Sequence, residues 1–154
     1  MPDDEADLSP DHGMSNWRAL EPLSEAECMG LLASGGLGRL VYSSRYGPTA
    51  LPVVYRIDGE SIVLGTWDPA LFDEDLRTGI AHAEYQVAVE VDQIDLEVRE
   101  GWIVLVRGAA HHIDTEAERA PLISPDLEPW IEGVPAHLIR VTPTSTWGNR
   151  ILRA

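Results

Sequence analysis

The stretch from Gly38 to Thr66 constrains the fold more than any other part of the chain. It predicts three β-strands joined by tight turns, over Gly38–Ser43, Thr49–Ile57 and Ser61–Thr66. The Asp58-Gly59 pair is a strong hairpin signal, because such turns need residues that accept positive φ. Pro52 interrupts the second strand, since proline cannot donate a ladder hydrogen bond. We therefore expect an edge, a bulge or an opening there, where a flat ligand can lie.

The remaining pattern adds helices and three more strands. Ser24-x-x-Glu27 is a capping box and predicts a helix that ends at Gly35-Gly36. The other predicted elements are a helix over Asp68–Ala83, strands over Gln86–Ile94, Arg99–His112 and Ala136–Trp147, a short helix over Thr115–Leu122, and an irregular stretch over Leu127–Val134. This order favours a mainly β fold, a six-stranded antiparallel Greek-key barrel with added short helices.

The length of 154 residues favours one domain, which we place at residues 23–154. Residues 1–22 are acidic and lack apolar periodicity, so we interpret them as a mobile N-terminal arm, although Trp17 and Leu20 could pack on the body or on a second subunit. No run of about 18 apolar residues occurs, and the N-terminus lacks the basic and apolar regions of a secretory signal. We expect a cytoplasmic protein without a membrane span.

Charge and composition exclude several classes of partner and chemistry. The formal net charge of −15 would repel phosphate backbones and anionic membranes, so we expect no nucleic-acid or membrane partner. All eleven positive side chains are arginines, which excludes Schiff-base and Walker lysines. Cys28 is the single cysteine, so neither an intrachain disulfide nor a cysteine-based metal site can form.

The ionisable side chains do not assemble into a catalytic motif. His111 and His112 are adjacent on a strand and point to opposite faces, which disfavours joint binding of a metal ion. Glu90 and Asp92 lie on the face of their strand opposite its valines, and we expect them to be solvated or paired with arginines such as Arg99 or Arg107. The glycine cluster that begins at Gly35 follows a helix instead of a strand, so it does not fit a dinucleotide-binding loop.

Taken in order, five segments of the chain resemble one known family. The segments GRLVY, LPVVYRIDG, ESIVLGT, VAVEVDQID and REGWIVLVRGAA resemble the pyridoxamine 5'-phosphate oxidase-like flavoproteins, and in particular their small actinobacterial, nitroimidazole-resistance-like branch. The resemblance implies an FMN-binding split β-barrel that forms a homodimer with cofactor sites at the subunit interface. It also implies that the flavin ring lies along Leu51, Pro52 and Val53, whose backbone can hydrogen-bond the ring edge.

The segment expected to bind the cofactor phosphate departs from the family pattern. The family carries Arg-Thr at the end of the third strand and a lysine before the next helix, whereas this chain has Gly65-Thr66 and, near the lysine position, Leu71. Three carboxylates follow at Asp73-Glu74-Asp75. The resemblance leaves Thr66 as a phosphate ligand, and Arg56, Arg77 or the amides of the following helix start could compensate for the missing cations.

Two functional hypotheses follow. The first is a flavin-dependent oxidoreductase acting on a small molecule such as a nitroaromatic or a quinone, with Trp67 or Trp102 near the ring, Trp102 from the partner subunit. Core or dimer packing is the alternative role of these tryptophans. The second hypothesis is a non-catalytic ligand-binding or scaffold protein on the same fold, which has lost FMN or uses a deazaflavin or haem, the latter held by His111, His112 or His137.

Overall fold

The computed structural model describes residues 20–44, 46–66, 85–127 and 137–152. Within these ranges the chain forms seven strands, two α-helices and two 3-10 turns. The strands are β1 Leu20–Pro22, β2 Gly36–Ser44, β3 Gly47–Asp58, β4 Ser61–Thr66, β5 Tyr85–Asp95, β6 Glu100–His112 and β7 His137–Ile151. The helices are α1 Glu25–Leu32 and α2 Glu116–Arg119, and the 3-10 turns are Ala120–Leu122 and Pro125–Leu127.

Six of the strands close into an antiparallel barrel. Their order is β7-β4-β3-β2-β5-β6, and β6 pairs again with β7 to complete the ring. The prediction of a mainly β, six-stranded antiparallel split barrel is confirmed. In a ring of six, β3 and β6 lie opposite each other. The short strand β1 is an addition that pairs with the end of β7, from Leu20↔Ile151 to Pro22↔Asn149.

Strand alternation separates the inner and outer faces of the barrel. The interior holds a core of buried side chains that includes Leu40, Val53, Leu64, Val89, Val104 and Val141. On the outer side, residues 113–127 pack over β3, β4 and the first half of β7, and we call this region the covered face. Its apolar side chains are Val54, Val63, Ile113, Leu122, Leu127 and Leu138.

The other half of the outer surface has no such cover within the described part of the chain. We call it the bare face, formed by β2, β5, β6 and the second half of β7. Its outward apolar side chains are Leu37, Val41, Ile94, Ile103, Leu105 and Trp147, of which Trp147 is 50% exposed and Leu37 46%. Leu105 and Trp147 are cross-strand neighbours, so the two side chains lie on the same face.

The first helix begins with the predicted capping box and closes one end of the barrel. The Glu27 amide donates to the Ser24 hydroxyl at 3.2 Å, and the Ser24 amide donates to the Glu27 carboxylate at 2.7 Å. Cys28 is completely buried and packs so closely on β7 that a Cβ at Gly148 would lie 2.5 Å from its sulfur. Gly35 ends the helix with φ of +68°, a conformation that favours glycine.

Several boundaries differ from the predicted ones. The last strand was predicted over Ala136–Trp147 but continues to Ile151, because the residues after Trp147 pair with both β6 and β1. Pro143 lies inside this strand, at a bulge. There Thr144 is the extra residue, so the proline removes no regular ladder bond. Leu20–Pro22 was predicted as part of the N-terminal arm, and the structure pairs it with β7.

The hairpin between β3 and β4 also turns one residue later than predicted. Asp58 and Ser61 form the closing pair, so Gly59 and Glu60 are the turn residues, with φ of +61° at Gly59 alone. The predicted helix over Asp68–Ala83 lies outside the described residues, as does most of the stretch predicted to be irregular. No helix in the described ranges combines the length and apolar character that crossing a membrane requires.

Candidate functional site

The second strand of the β2–β3–β4 unit has one open edge. Strand β3 pairs with β2 from Gly47 to Tyr55, but its ladder with β4 starts only at Val54↔Gly65. The seven residues 47–53 therefore have no ladder partner on the β4 side within the described part of the chain. Pro52 lies in this stretch, which agrees with the rule that a proline inside a sheet needs an edge where no ladder hydrogen bond is lost. The predicted opening at Pro52 is thus present.

The hairpin fixes which backbone groups face this edge. In a two-residue hairpin the closing residues exchange both hydrogen bonds, so Asp58 directs its N–H and C=O toward β4. The backbone N–H and C=O groups of the other even-numbered residues of β3 also point toward the β4 side, because the direction of these groups alternates from one residue to the next along a strand. Pro48 and Pro52 both have even numbers, so neither removes a hydrogen bond to β2. Between them Ala50 presents an N–H, flanked by the carbonyls of residues 48, 50 and 52.

Prolines on both sides of Ala50 also restrict what can bind there. An open edge normally offers a row of alternating donors and acceptors to another strand. Here Pro48 and Pro52 remove two of the donors, so a regular strand cannot form a continuous ladder on this edge. A small ligand that needs one N–H donor and nearby carbonyl acceptors is compatible with it.

The predicted site residues Leu51, Pro52 and Val53 lie on this edge. Leu51 and Val53 direct their side chains to the barrel interior, where Val53 is completely buried, and Pro52 is exposed on the outer side. Any contact that the edge makes with a ligand plane therefore comes mainly from the backbone.

The structure does not bring Arg56 and Thr66 together. Arg56 lies on the covered face and donates from Nη1 to the Ser124 hydroxyl at 3.0 Å. Thr66 alternates with the interior residues Ile62 and Leu64 and is 3% exposed. Because the two side chains lie on opposite faces of the sheet, they cannot converge on one anionic group. Trp67 and Arg77, the other predicted residues of this region, lie outside the described residues.

Trp102 is not at the open edge of its own chain. It lies on β6, opposite β3 in the ring, where its cross-strand neighbours are Gln93 and Arg150. Its side chain packs against the interior core. Trp147, predicted at the end of the last strand, instead lies within β7 on the bare face.

An ionic network joins the covering segment to the barrel. The carboxylate of Glu118 is 3.1 Å from His111 Nε2 and accepts from Arg140 Nε at 3.1 Å. Arg140 also donates to Asp58 at 2.9 Å. Burial alone would raise the pKa of Glu118, but its hydrogen bonds from His111 and Arg140 outweigh this effect and lower the pKa. His111 thus contributes to attaching α2 to the barrel.

The prediction for Glu90 and Asp92 was right about the type of partner and wrong about its identity. The arginine is Arg39 of β2, 3.2 Å from Glu90 and 3.7 Å from Asp92, and not Arg99 or Arg107. The sequence did not reveal that β2 and β5 are neighbours with Arg39 opposite Glu90. Burial, together with the adjacent Asp92, raises the pKa of Glu90 despite the arginine.

The structure separates His111 from the other two histidines proposed for haem, His112 and His137. His111 points outward to Glu118, whereas His112 pairs with Ile139 of the interior core, so the predicted opposite orientation is confirmed. His137 pairs with the interior residue Thr66 and shares the face of β7 with Ile139, so it lies on the same side of the sheet as His112. In the four described ranges no three metal-binding side chains cluster together.

Sequence reasoning missed the covering segment itself. Ser124 and Leu127 approach β3 and β4 directly, although the sequence predicted only a short helix over Thr115–Leu122 and an irregular stretch that begins at Leu127. The available signal was the apolar set Ile113, Leu122 and Leu127 after the end of β6. Outward residues Val54 and Val63 on otherwise alternating strands indicate the same cover.

The chain is similar to several known proteins. It is 29% identical over 135 residues to the uncharacterised protein Rv0080 of Mycobacterium tuberculosis, and the alignment covers 88% of each chain. The FAD binding protein from Mycobacterium smegmatis superposes with a TM-score of 0.69 and 28% identity, covering 87% of this chain and 100% of that one. An FAD-binding protein from Mesorhizobium loti shares the fold, with a TM-score of 0.68, 20% identity, and coverage of 87% and 98%.

A family profile covers nearly the whole chain and decides its membership. The profile described as pyridoxamine 5'-phosphate oxidase matches residues 24–152, from the cap of α1 to the end of β7. This range contains the barrel, the open edge of β3 and the covering segment. The chain belongs to the pyridoxamine 5'-phosphate oxidase family.

Proposed function

We propose that this protein binds a flavin with its ring along the open edge of β3 and catalyses an oxidation or reduction of a small molecule. The observation that carries the proposal is the stretch of residues 47–53, which pairs with β2 and, among the described residues, has no strand on its other edge. The 28% identical FAD binding protein of Mycobacterium smegmatis supports a flavin as the ligand.

The residues of the edge suit the imide end of a flavin ring. That end carries carbonyl oxygens beside an N–H, and the edge offers the Ala50 N–H beside backbone carbonyls. A bound flavin would supply the electron or hydride transfer. The chain itself would fix the ring in place through the backbone of this edge, which the interior side chains of Val53 and Leu51 anchor to the core.

Substitution of Ala50 tests the role of the edge. Ala50→Pro removes the N–H without removing a bond to β2, so we expect flavin affinity to fall about five- to tenfold, corresponding to about 1 kcal/mol for one hydrogen bond. Ala50→Ser retains the N–H and is the matched comparison. Titrations that follow flavin fluorescence would measure both. If serine weakens binding as much as proline does, the side chain and not the N–H is responsible.

A non-catalytic ligand-binding protein is the alternative. Its motivating observation is the separation of Arg56 from Thr66, which leaves the phosphate end without the expected pair. Absorbance between 300 and 500 nm after addition of FMN or FAD and desalting would show whether flavin is retained. If retained flavin is reduced by a nicotinamide donor and reoxidised by a quinone or nitroaromatic, the enzyme hypothesis stands. Retained flavin that transfers no electrons would favour the alternative.

We also propose that two copies associate through the bare face. Trp147 is 50% exposed and its cross-strand neighbour Leu105 is half buried, so the two side chains form an outward apolar pair on the bare face. An interfacial tryptophan commonly contributes 2 kcal/mol or more to association. We expect Trp147→Asp to weaken the dimer by about thirtyfold or more, measured by analytical ultracentrifugation. An unchanged dimerisation constant would place the interface elsewhere.

A further inference from the structure

The outer side of β4 is closed at Gly65. This residue lies between Val54 of β3 and Leu138 of β7 in the sheet. A Cβ built at Gly65 would be 2.6 Å from the carbonyl oxygen of Leu127 and 3.0 Å from Val54 Cγ2. Real Cβ atoms do not approach backbone oxygens so closely. The turn Pro125–Leu127 therefore occupies the space that a side chain at position 65 would need.

The side chains around Gly65 are apolar and buried. Val54, Val63, Leu122, Leu127 and Leu138 pack there, with exposures between 0 and 6%. A phosphate group needs cationic or N–H donors, and an anion placed among hydrocarbon side chains loses its hydration without compensation. The outer side of β4 at this point cannot take a phosphate.

The two polar residues expected at the phosphate end do not form an alternative site. The Arg56 guanidinium is directed to Ser124 on the covered face, and Thr66 lies on the interior side of β4. The sequence that follows, residues 67–84, contains five carboxylates and one arginine, Arg77. The net charge of −15 also opposes the binding of a dianion.

We propose that this protein recognises its flavin through the ring and that the terminal phosphate contributes almost nothing to affinity. Unphosphorylated riboflavin then binds as tightly as FMN. The inference rests on the proposed function, because it specifies which part of the flavin the site binds. Its structural basis is the juxtaposition of an open backbone edge at residues 47–53 with a closed, apolar outer face at Gly65.

Parallel titrations of the full-length protein with riboflavin and FMN test this inference. We expect dissociation constants within threefold of each other, and little change in the FMN value between 50 and 500 mM salt, because a phosphate–cation contact would be screened. FMN binding thirtyfold or more tighter than riboflavin would overturn the inference and leave the proposed function standing. Binding of neither ligand would overturn the inference, and if FAD also fails to bind, the proposed function is overturned as well.

Two arginine variants sharpen the test. Arg56→Gln and Arg77→Gln should each leave the ratio of riboflavin to FMN dissociation constants within threefold of one, whatever they do to both constants together. Arg99→Gln is the matched control, since Arg99 is exposed in the turn between β5 and β6, outside the strands of the bare face and the open edge. A tenfold loss of FMN affinity without loss of riboflavin affinity, in either variant, would identify a phosphate contact and overturn the inference.

Discussion

The covered face and the bare face are built from the same antiparallel strands but bury their side chains differently. On the covered face Leu122, Leu127 and Leu138 are 2–3% exposed, whereas on the bare face Trp147 is 50% exposed. Both faces carry outward apolar residues, so strand patterning does not distinguish them. The difference lies in the segment 113–127, which returns over one half of the barrel only. A face of the barrel becomes part of the core only when another segment covers it.

The two faces also differ in how they pair charges. On the covered face one carboxylate, Glu118, is held by both His111 and Arg140. On the bare face one guanidinium, Arg39, serves two carboxylates, Glu90 and Asp92. The pKa of Glu118 is lowered by its hydrogen bonds from two partners, whereas the pKa of Glu90 is raised by burial and by the adjacent Asp92. The comparison predicts that the contributions of Glu118 and Glu90 to stability change in opposite directions as the pH changes.

The largest expected difference concerns one leucine on each face. Leu127→Ala would open a cavity in the covered cluster and should lower the free energy of unfolding by about 3 kcal/mol. Leu105→Ala on the bare face should cost about 1 kcal/mol or less in the monomer, because the side chain is only half buried. Urea unfolding at pH 7 and low protein concentration measures both. Equal losses would show that the bare face is buried as completely as the covered one.

The strands of the barrel were largely predictable from sequence, because alternation and turn residues are local signals. Ser61–Thr66 has the predicted bounds, and the proline-interrupted edge of β3 lies where Pro52 placed it. The contacts between residues that are distant in sequence were harder to predict. Arg39 meets Glu90 only because β2 and β5 are neighbours in the ring, a choice made by long-range closure. The contact of Leu127 with Gly65 likewise joins residues far apart in sequence.

The second prediction concerns Glu118. A carboxyl group whose pKa is lowered in the folded protein stabilises the fold at pH values above its ordinary pKa of 4.5. This stabilisation is lost as the pH falls below 4.5 and through the lowered pKa. Glu118→Gln should therefore cost about 1 kcal/mol at pH 7, a value limited by solvent screening, and less at pH 3. Glu116→Gln, on the exposed side of the same helix, is the control and should remain within 0.5 kcal/mol of wild type, a change typical of surface sites, at both pH values. A loss for Glu118→Gln that does not depend on pH would indicate packing instead of charge.

The smallest effect is expected at Glu90, and its sign is opposite. Because burial and Asp92 raise the pKa of Glu90 in the folded protein, ionisation weakens the fold as pH rises from 4.5 through the raised value. Glu90→Gln removes that penalty and leaves Arg39 paired with Asp92. We expect a gain of a few tenths of a kcal/mol at pH 8 and no gain at pH 4, since the pair is partly exposed. Urea unfolding of the monomer at the two pH values measures this difference. A loss at pH 8 would mean that the Arg39–Glu90 ion pair outweighs the burial of the carboxylate, and the two faces would then respond to pH in the same direction.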